Sequence, residues 1–187
     1  MKNIIPVVLC ALVFGQAALA QVTNLETPGN LKATSPVGCI PLAQAGPDLS
    51  PADLQPGVWD CFQKKNYVAA AELTLLMYAR GVFDTHRVLD KTAHQAIPVL
   101  MMGVVQQDPE GWEEHMAPVL TAYTGQGATG AKFCASLHSM PVPTHSASYM
   151  VQHGIEAFTG GNESGLAKDF DPAQAWSEVL HNFMKCD

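Results

Sequence analysis

Charge is scarce in this chain. Asp, Glu, Lys and Arg make up only 14% of the residues, and aromatics only 7%. Ten Lys/Arg stand against seventeen Asp/Glu, so there is no cationic surplus to neutralise phosphates. That excludes nucleic acid or an anionic membrane as the main partner. Past residue 20 no apolar run reaches the ~18–20 residues that span a bilayer. Alternating β-branched runs are also missing, which argues against a sheet-built protein. CxxC, HExxH and GxSxG are all absent, and with them the usual signs of a zinc site or a serine hydrolase elbow. A 48% hydrophobic content excludes disorder and fits one globular domain.

The first twenty residues read as a cleavable leader. Lys2 supplies a positive start, Ile4 to Leu19 are almost wholly apolar, and Ala18-Leu19-Ala20 has the small-x-small pattern of a signal-peptidase site. Cys10 does not make it a lipoprotein leader, because Leu9 is too large and the apolar run continues past it. Cleavage after Ala20 leaves 167 of the 187 residues. Lys2 goes with the leader, so nine Lys/Arg face seventeen Asp/Glu and the net charge is −8. The expected location is the periplasm, with no transmembrane segment.

Four cysteines remain: Cys39, Cys61, Cys134 and Cys186. An even number in an exported chain predicts two disulfides, with three connectivities open. Cys39–Cys61 with Cys134–Cys186 is favoured. The first pair would pin an N-terminal arm to the first helix, and the second would clamp the last helix.

Residues 21–49 contain Pro28, Pro36, Pro41 and Pro47 with Gly29, Gly38 and Gly46, a breaker density that predicts an extended arm rather than a packed element. Residues 50–187 form the expected helical domain. Ser50-Pro51-Ala52-Asp53 is a helix start, with Pro56-Gly57 expected to interrupt it early. Tyr67 to Arg80 is the clearest helix. A further helix is expected from about Thr85 to Val105, kinked or broken at Pro98. Asp108-Pro109 opens another over Glu110 to Tyr123, and Asp171-Pro172 starts the last, Ala173 to Lys185; others are expected over Ala131 to Met140 and Pro143 to Phe158, with Thr159 to Phe170 a loop. The sum is an all-α domain, one globular bundle of six or seven helices. Trp59, Phe62, Tyr67 and Ala70 are spaced as in the first helix of a tetratricopeptide repeat, but the spacing does not recur after ~34 residues, so a repeat array is not expected.

The densest polar grouping is Asp84, His86, Arg87, Asp90, Lys91 and His94. On a helix His86, Asp90 and His94 fall at i, i+4 and i+8, and the outer two are ~12 Å apart along the axis, too far to share one ion unaided. The grouping is therefore read as an interaction surface. A rival reading makes Asp84, His86, Asp90 and His94 the active or metal site of an exported hydrolase. Gly125 to Gly130 spells GxGxxG, but a helical segment precedes it and no acid follows at ~20 residues, so it reads as an inter-helix loop rather than a dinucleotide site. His138, His145 and His153 lie among serines with no acid placed to orient them. Glu113-Glu114-His115 reads as a solvated helix face. Asn162-Glu163-Ser164 is a glycosylation sequon that has meaning only in a eukaryotic host. No catalytic set, metal or cofactor is expected.

With its leader (Met1–Ala20), its four cysteines and its helical mature chain without a catalytic set, the protein resembles small exported immunity proteins of Gram-negative bacteria. That resemblance implies a periplasmic inhibitor whose partner is a toxic effector enzyme, such as a cell-wall amidase or lipase, held by occlusion of its active site. An acidic protein with few surface charges can cover a basic or apolar cleft, with capture sped by opposite charge.

Overall fold

The computed structural model describes residues 26–124, 127–160 and 164–186. The leader and its cleavage site, Gly125 and Gln126 of the GxGxxG run, and Asn162 and Glu163 of the sequon lie outside them. The described residues are all-α: eight helices, no strand, and the disulfides Cys39–Cys61 and Cys134–Cys186. The pairing favoured from the sequence is the one formed.

Helix α1 runs over Pro51–Gln63 and opens as the sequence predicts. Ser50 accepts from the Asp53 amide and Asp53 accepts from the Ser50 amide, a reciprocal cap with Pro51 at the first position. Pro56-Gly57 does not interrupt it, contrary to expectation. Gly57 is instead where the arm crosses the helix: a Cβ there would lie 2.7 Å from the Gly38 carbonyl oxygen. The turn Lys64–Asn66, with Lys65 at φ 58°, reverses the chain into α2, Tyr67–Thr85, capped by Asn66 on the Ala69 amide. The two helices form an antiparallel hairpin.

Helix α2 is the axis of the fold. Ala69 to Ala71, Leu73, Leu76, Met77, Ala79 and Phe83 are buried along it, the pattern of a helix enclosed on most sides. Around it stand α3 (Ala96–Val105), α4 (Pro109–Thr124), α5 (Ala128–Ser139) and the last helix. Gln55 Nε2 donates to the Leu100 carbonyl at 2.7 Å, tying α1 to α3. The Tyr123 hydroxyl meets Glu72 at 3.2 Å, tying α4 to α2. Two single turns follow, α6 (Ser148–Val151) and α7 (Glu156–Thr159), where one longer segment was expected. Helix α8, Pro172–Glu178, starts on Asp171 as predicted and loosens into a π turn at Val179–Phe183.

Three further expectations need correction. The helix expected over Thr85 to Val105 is two elements, because Asp90 accepts from the Thr92 amide and caps a 3-10 turn, Lys91–Gln95. Pro98 then falls in the first turn of α3, where it kinks nothing. The Gly125 to Gly130 loop is shorter than read, since α5 begins at Ala128 and takes in Gly130. The arm is extended but packed: Leu42, Ala45 and Leu49 are buried, and the Asp53 carboxylate accepts from the amides of Thr34 and Ser35 at 2.7 and 2.6 Å. Among the described residues, proline in the arm leaves only a single 3-10 turn, Leu42–Gln44, and does not prevent burial.

Candidate functional site

The inner end of α2 carries the polar centre of the molecule. Asp84 falls one turn after Arg80, and both side chains point inward and are buried. Arg80 donates to the carbonyls of Leu49 and Ala45 at 2.6 and 3.0 Å, so a helix side chain closes the backbone bonds of the arm. Burial lowers its pKa to about 10, which leaves it charged at neutral pH.

Asp84 gathers three partners. Arg87 donates to its Oδ1 through Nε and Nη2 at 2.8 and 2.6 Å. His145 Nε2 lies 2.9 Å from Oδ2, and the Tyr149 hydroxyl donates to the same atom at 2.7 Å. Arg87 also reaches the His145 carbonyl at 2.8 Å and lies over the ring of Phe83, 5.1 Å from its centroid. Burial first, then the Asp84 charge, pushes the Tyr149 phenol well above its ordinary pKa, so it stays a donor.

An acid therefore does orient a histidine here, contrary to the sequence reading. The pair is separated by 61 positions and no local motif announces it. His145, Tyr149 and Arg80 are the residues that sequence reasoning missed. A carboxylate-held imidazole is the geometry of a general base. This one has no access to substrate, since the side chains of Asp84 and His145 are both 0% exposed. Ser136 and Ser139, which the sequence sets near the histidines, bond helix carbonyls of Lys132 and Ser136 instead. The arrangement is a buried ion pair whose carboxylate is fully engaged while His145 Nδ1 has no hydrogen-bond partner among the described residues, and it is suited to joining segments rather than to proton transfer.

The polar grouping from Asp84 to His94 is consequently split. Because α2 ends at Thr85, His86, Asp90 and His94 share no helical row. Asp84 and Arg87 turn inward. His86 stands beside Glu178, with nitrogen and oxygen 3.6 Å apart. His94 Nε2 lies 3.0 Å from the Val88 carbonyl, and Lys91 is exposed. Asp84, His86, Asp90 and His94 do not converge, and no three His, Cys, Asp or Glu side chains among the described residues are placed to hold a metal ion.

Asp90 does something the sequence did not signal. Besides capping the 3-10 turn, its Oδ2 accepts from the Glu156 amide at 2.9 Å, and the Thr92 hydroxyl accepts from the Ile155 amide at 2.9 Å. Desolvation raises the pKa of its carboxyl, but the Thr92 hydroxyl, the amides of Glu156 and Thr92, and His94 nearby outweigh that and hold it below the usual carboxylate range. Gly154 permits the approach, because a Cβ there would collide with the Asp90 carboxylate and Ala93. On the other side the Leu89 amide donates to the Gly165 carbonyl at 3.0 Å. The frame so built presents three apolar side chains to solvent: Leu89 at 48% exposure, Ile155 at 62% and Phe158 at 50%. Ile155 and Phe158 are one turn apart, so they share a face.

Comparison with protein families, curated proteins and solved structures finds no match to this chain. Among the described residues no helix is long and apolar enough to cross a membrane.

Proposed function

We propose that this is an exported binding protein, a periplasmic immunity-type inhibitor that neutralises a toxic effector enzyme by occluding its active site. One observation carries the reading: Leu89, Ile155 and Phe158 are exposed on a frame fixed by Asp90 and Thr92. Exposed apolar side chains held by a set of short side-chain-to-backbone hydrogen bonds are a preorganised contact, which lowers the ordering cost of binding. Asp53 and Arg80 hold the arm, Asp84 joins the inner segments, and Asp90 holds the frame. The surrounding chain is acidic and poor in charge, which suits a cleft that is basic at its rim and apolar within. The two disulfides accord with an oxidising compartment.

The test is capture from periplasmic extract of the native cells with the mature protein, followed by an activity assay on the captured enzyme. The expected result is a stoichiometric complex with an exported enzyme whose activity is blocked. The double variant Ile155→Asp with Phe158→Asp should abolish capture while leaving the helical circular dichroism intact. Capture that ignores both substitutions, or a captured enzyme that remains fully active, sinks the reading.

A further inference from the structure

Away from that frame, the outer face of α2 lies open. Two hollows, of about 490 and 330 Å³, meet at Leu75 and Tyr78, which stand one turn apart on the helix. Trp112 and Met102 line the first and Phe133 the second. Each volume lies within the ~300–1,000 Å³ range of small-ligand sites. The linings are mostly apolar, with hydroxyls only from Thr74, Tyr78 and Tyr123. Lys185 lines the second hollow and is the only charged residue of either lining among the described residues.

The backbone that carries that cation is anchored. Cys186, next in the chain, is buried and bonded to Cys134 of α5, itself part of the same lining. Lys185 holds φ 57°, a left-handed turn uncommon for an L residue. A chain with a net charge of −7 thus sets a single positive group beside an apolar trough. We propose that this groove binds a single-chain anionic amphiphile, a fatty acid, with its alkyl chain along Leu75, Tyr78 and Met102 and its carboxylate at Lys185. The site is independent of the inhibitor reading, and either can fail without the other.

Titration calorimetry of the mature, disulfide-intact protein with octanoate, decanoate and dodecanoate, each below its micelle concentration, tests it. Affinity should rise by up to roughly fourfold per methylene buried. Dodecyltrimethylammonium should bind more weakly than dodecanoate. Lys185→Glu should weaken dodecanoate roughly fivefold, the scale of an exposed ion pair, and leave dodecanol unchanged. Met102→Glu, at a half-exposed position that tolerates charge, should weaken both. A dodecanoate brominated near its methyl end should quench tryptophan emission, and Trp112→Phe should remove most of that quenching. The proposal is overturned if dodecanoate does not bind, if the cationic amphiphile binds as well, or if Lys185→Glu changes nothing. A dimer that Met102→Glu dissolves, with no dodecanoate bound, would assign the groove to a second copy and equally overturn it.

Discussion

Replacing Asp84 by Asn changes one atom and keeps the side-chain volume, so no cavity term enters. Four donor atoms from three side chains converge on the carboxylate at 2.6–2.9 Å. A hydrogen bond to a charged group contributes ~1.5–3 kcal/mol, but bonds sharing one acceptor do not add. The better guide is the cost of leaving one member of a buried ion pair behind, ~3–5 kcal/mol. Arg87 would be that member, with its side chain only 13% exposed. Asn retains one carbonyl oxygen that can still accept, so Asp84→Asn should cost about 3 kcal/mol. Tyr149→Phe removes a single donor and leaves the carboxylate its Arg87 and His145 partners, so about 1–2 kcal/mol is expected. The double variant should cost less than the sum, because Tyr149 has little to bind once the charge is gone. Urea unfolding followed by circular dichroism, with both disulfides intact, measures all three. On a total of ~5–15 kcal/mol the single Asn variant still folds, with a Tm lowered by roughly 6–12 °C. A cost below ~1 kcal/mol for Asp84→Asn, or a larger cost for Tyr149→Phe, would refute the reasoning.

Three further outcomes are expected. Asp53 is buried, which raises its pKa, but the Ser50 hydroxyl and the amides of Ser35, Ser50 and Thr34 outweigh that and set it below the ordinary 3.8. Its stabilisation is therefore present above that value and lost as pH falls through the lower folded one. Unfolding free energy measured between roughly pH 5 and pH 2 should drop more steeply for the native chain than for Asp53→Asn. Removing Cys39–Cys61, which spans 22 positions, should cost about 3 kcal/mol, and removing Cys134–Cys186, which spans 52, about 4; denaturant midpoints of the paired Ser variants should fall in that order. Gly81→Ala would place a methyl inside the Ile97 side chain, so thermal melts should show a loss of about 1–3 kcal/mol, with part regained in Gly81→Ala/Ile97→Val.

Much of the fold was legible because its signals are local. Ser50-Pro51, Asp108-Pro109 and Asp171-Pro172 mark helix starts through groups within three residues of one another, and the alanine-rich run of α2 declares itself by propensity. The signal at Asp90 was of the same kind, an acid two residues before Thr92, and could have been read as a cap. Counting it as a member of a helical row hid it. The Asp84 cluster was different. Its partners sit 61 and 65 positions away, and nothing in the periodicity around His145 or Tyr149 says which acid they face. Pro56-Gly57 misled because residue type cannot distinguish a break from a place where another strand of chain lies against the helix. The exposed positions of Leu89, Ile155 and Phe158 were invisible for a related reason: an apolar residue reads as core until the packing around it is known.

Asp84 also imposes an order in time. The hairpin of α1 and α2 needs only contacts close in sequence and can assemble early. The inner end of α2 cannot be sealed with it, because a carboxylate taken out of water with only Arg87 for company is expensive. It must stay wet until the segment carrying His145 and Tyr149 arrives, after a loop of some sixty residues has closed. Docking of that segment should therefore follow the hairpin, and the first 149 of the 187 residues must be present for it. A fragment ending before Tyr149 would hold a hairpin whose end stays open to proteases and chaperones, so an incomplete chain is recognisable as incomplete.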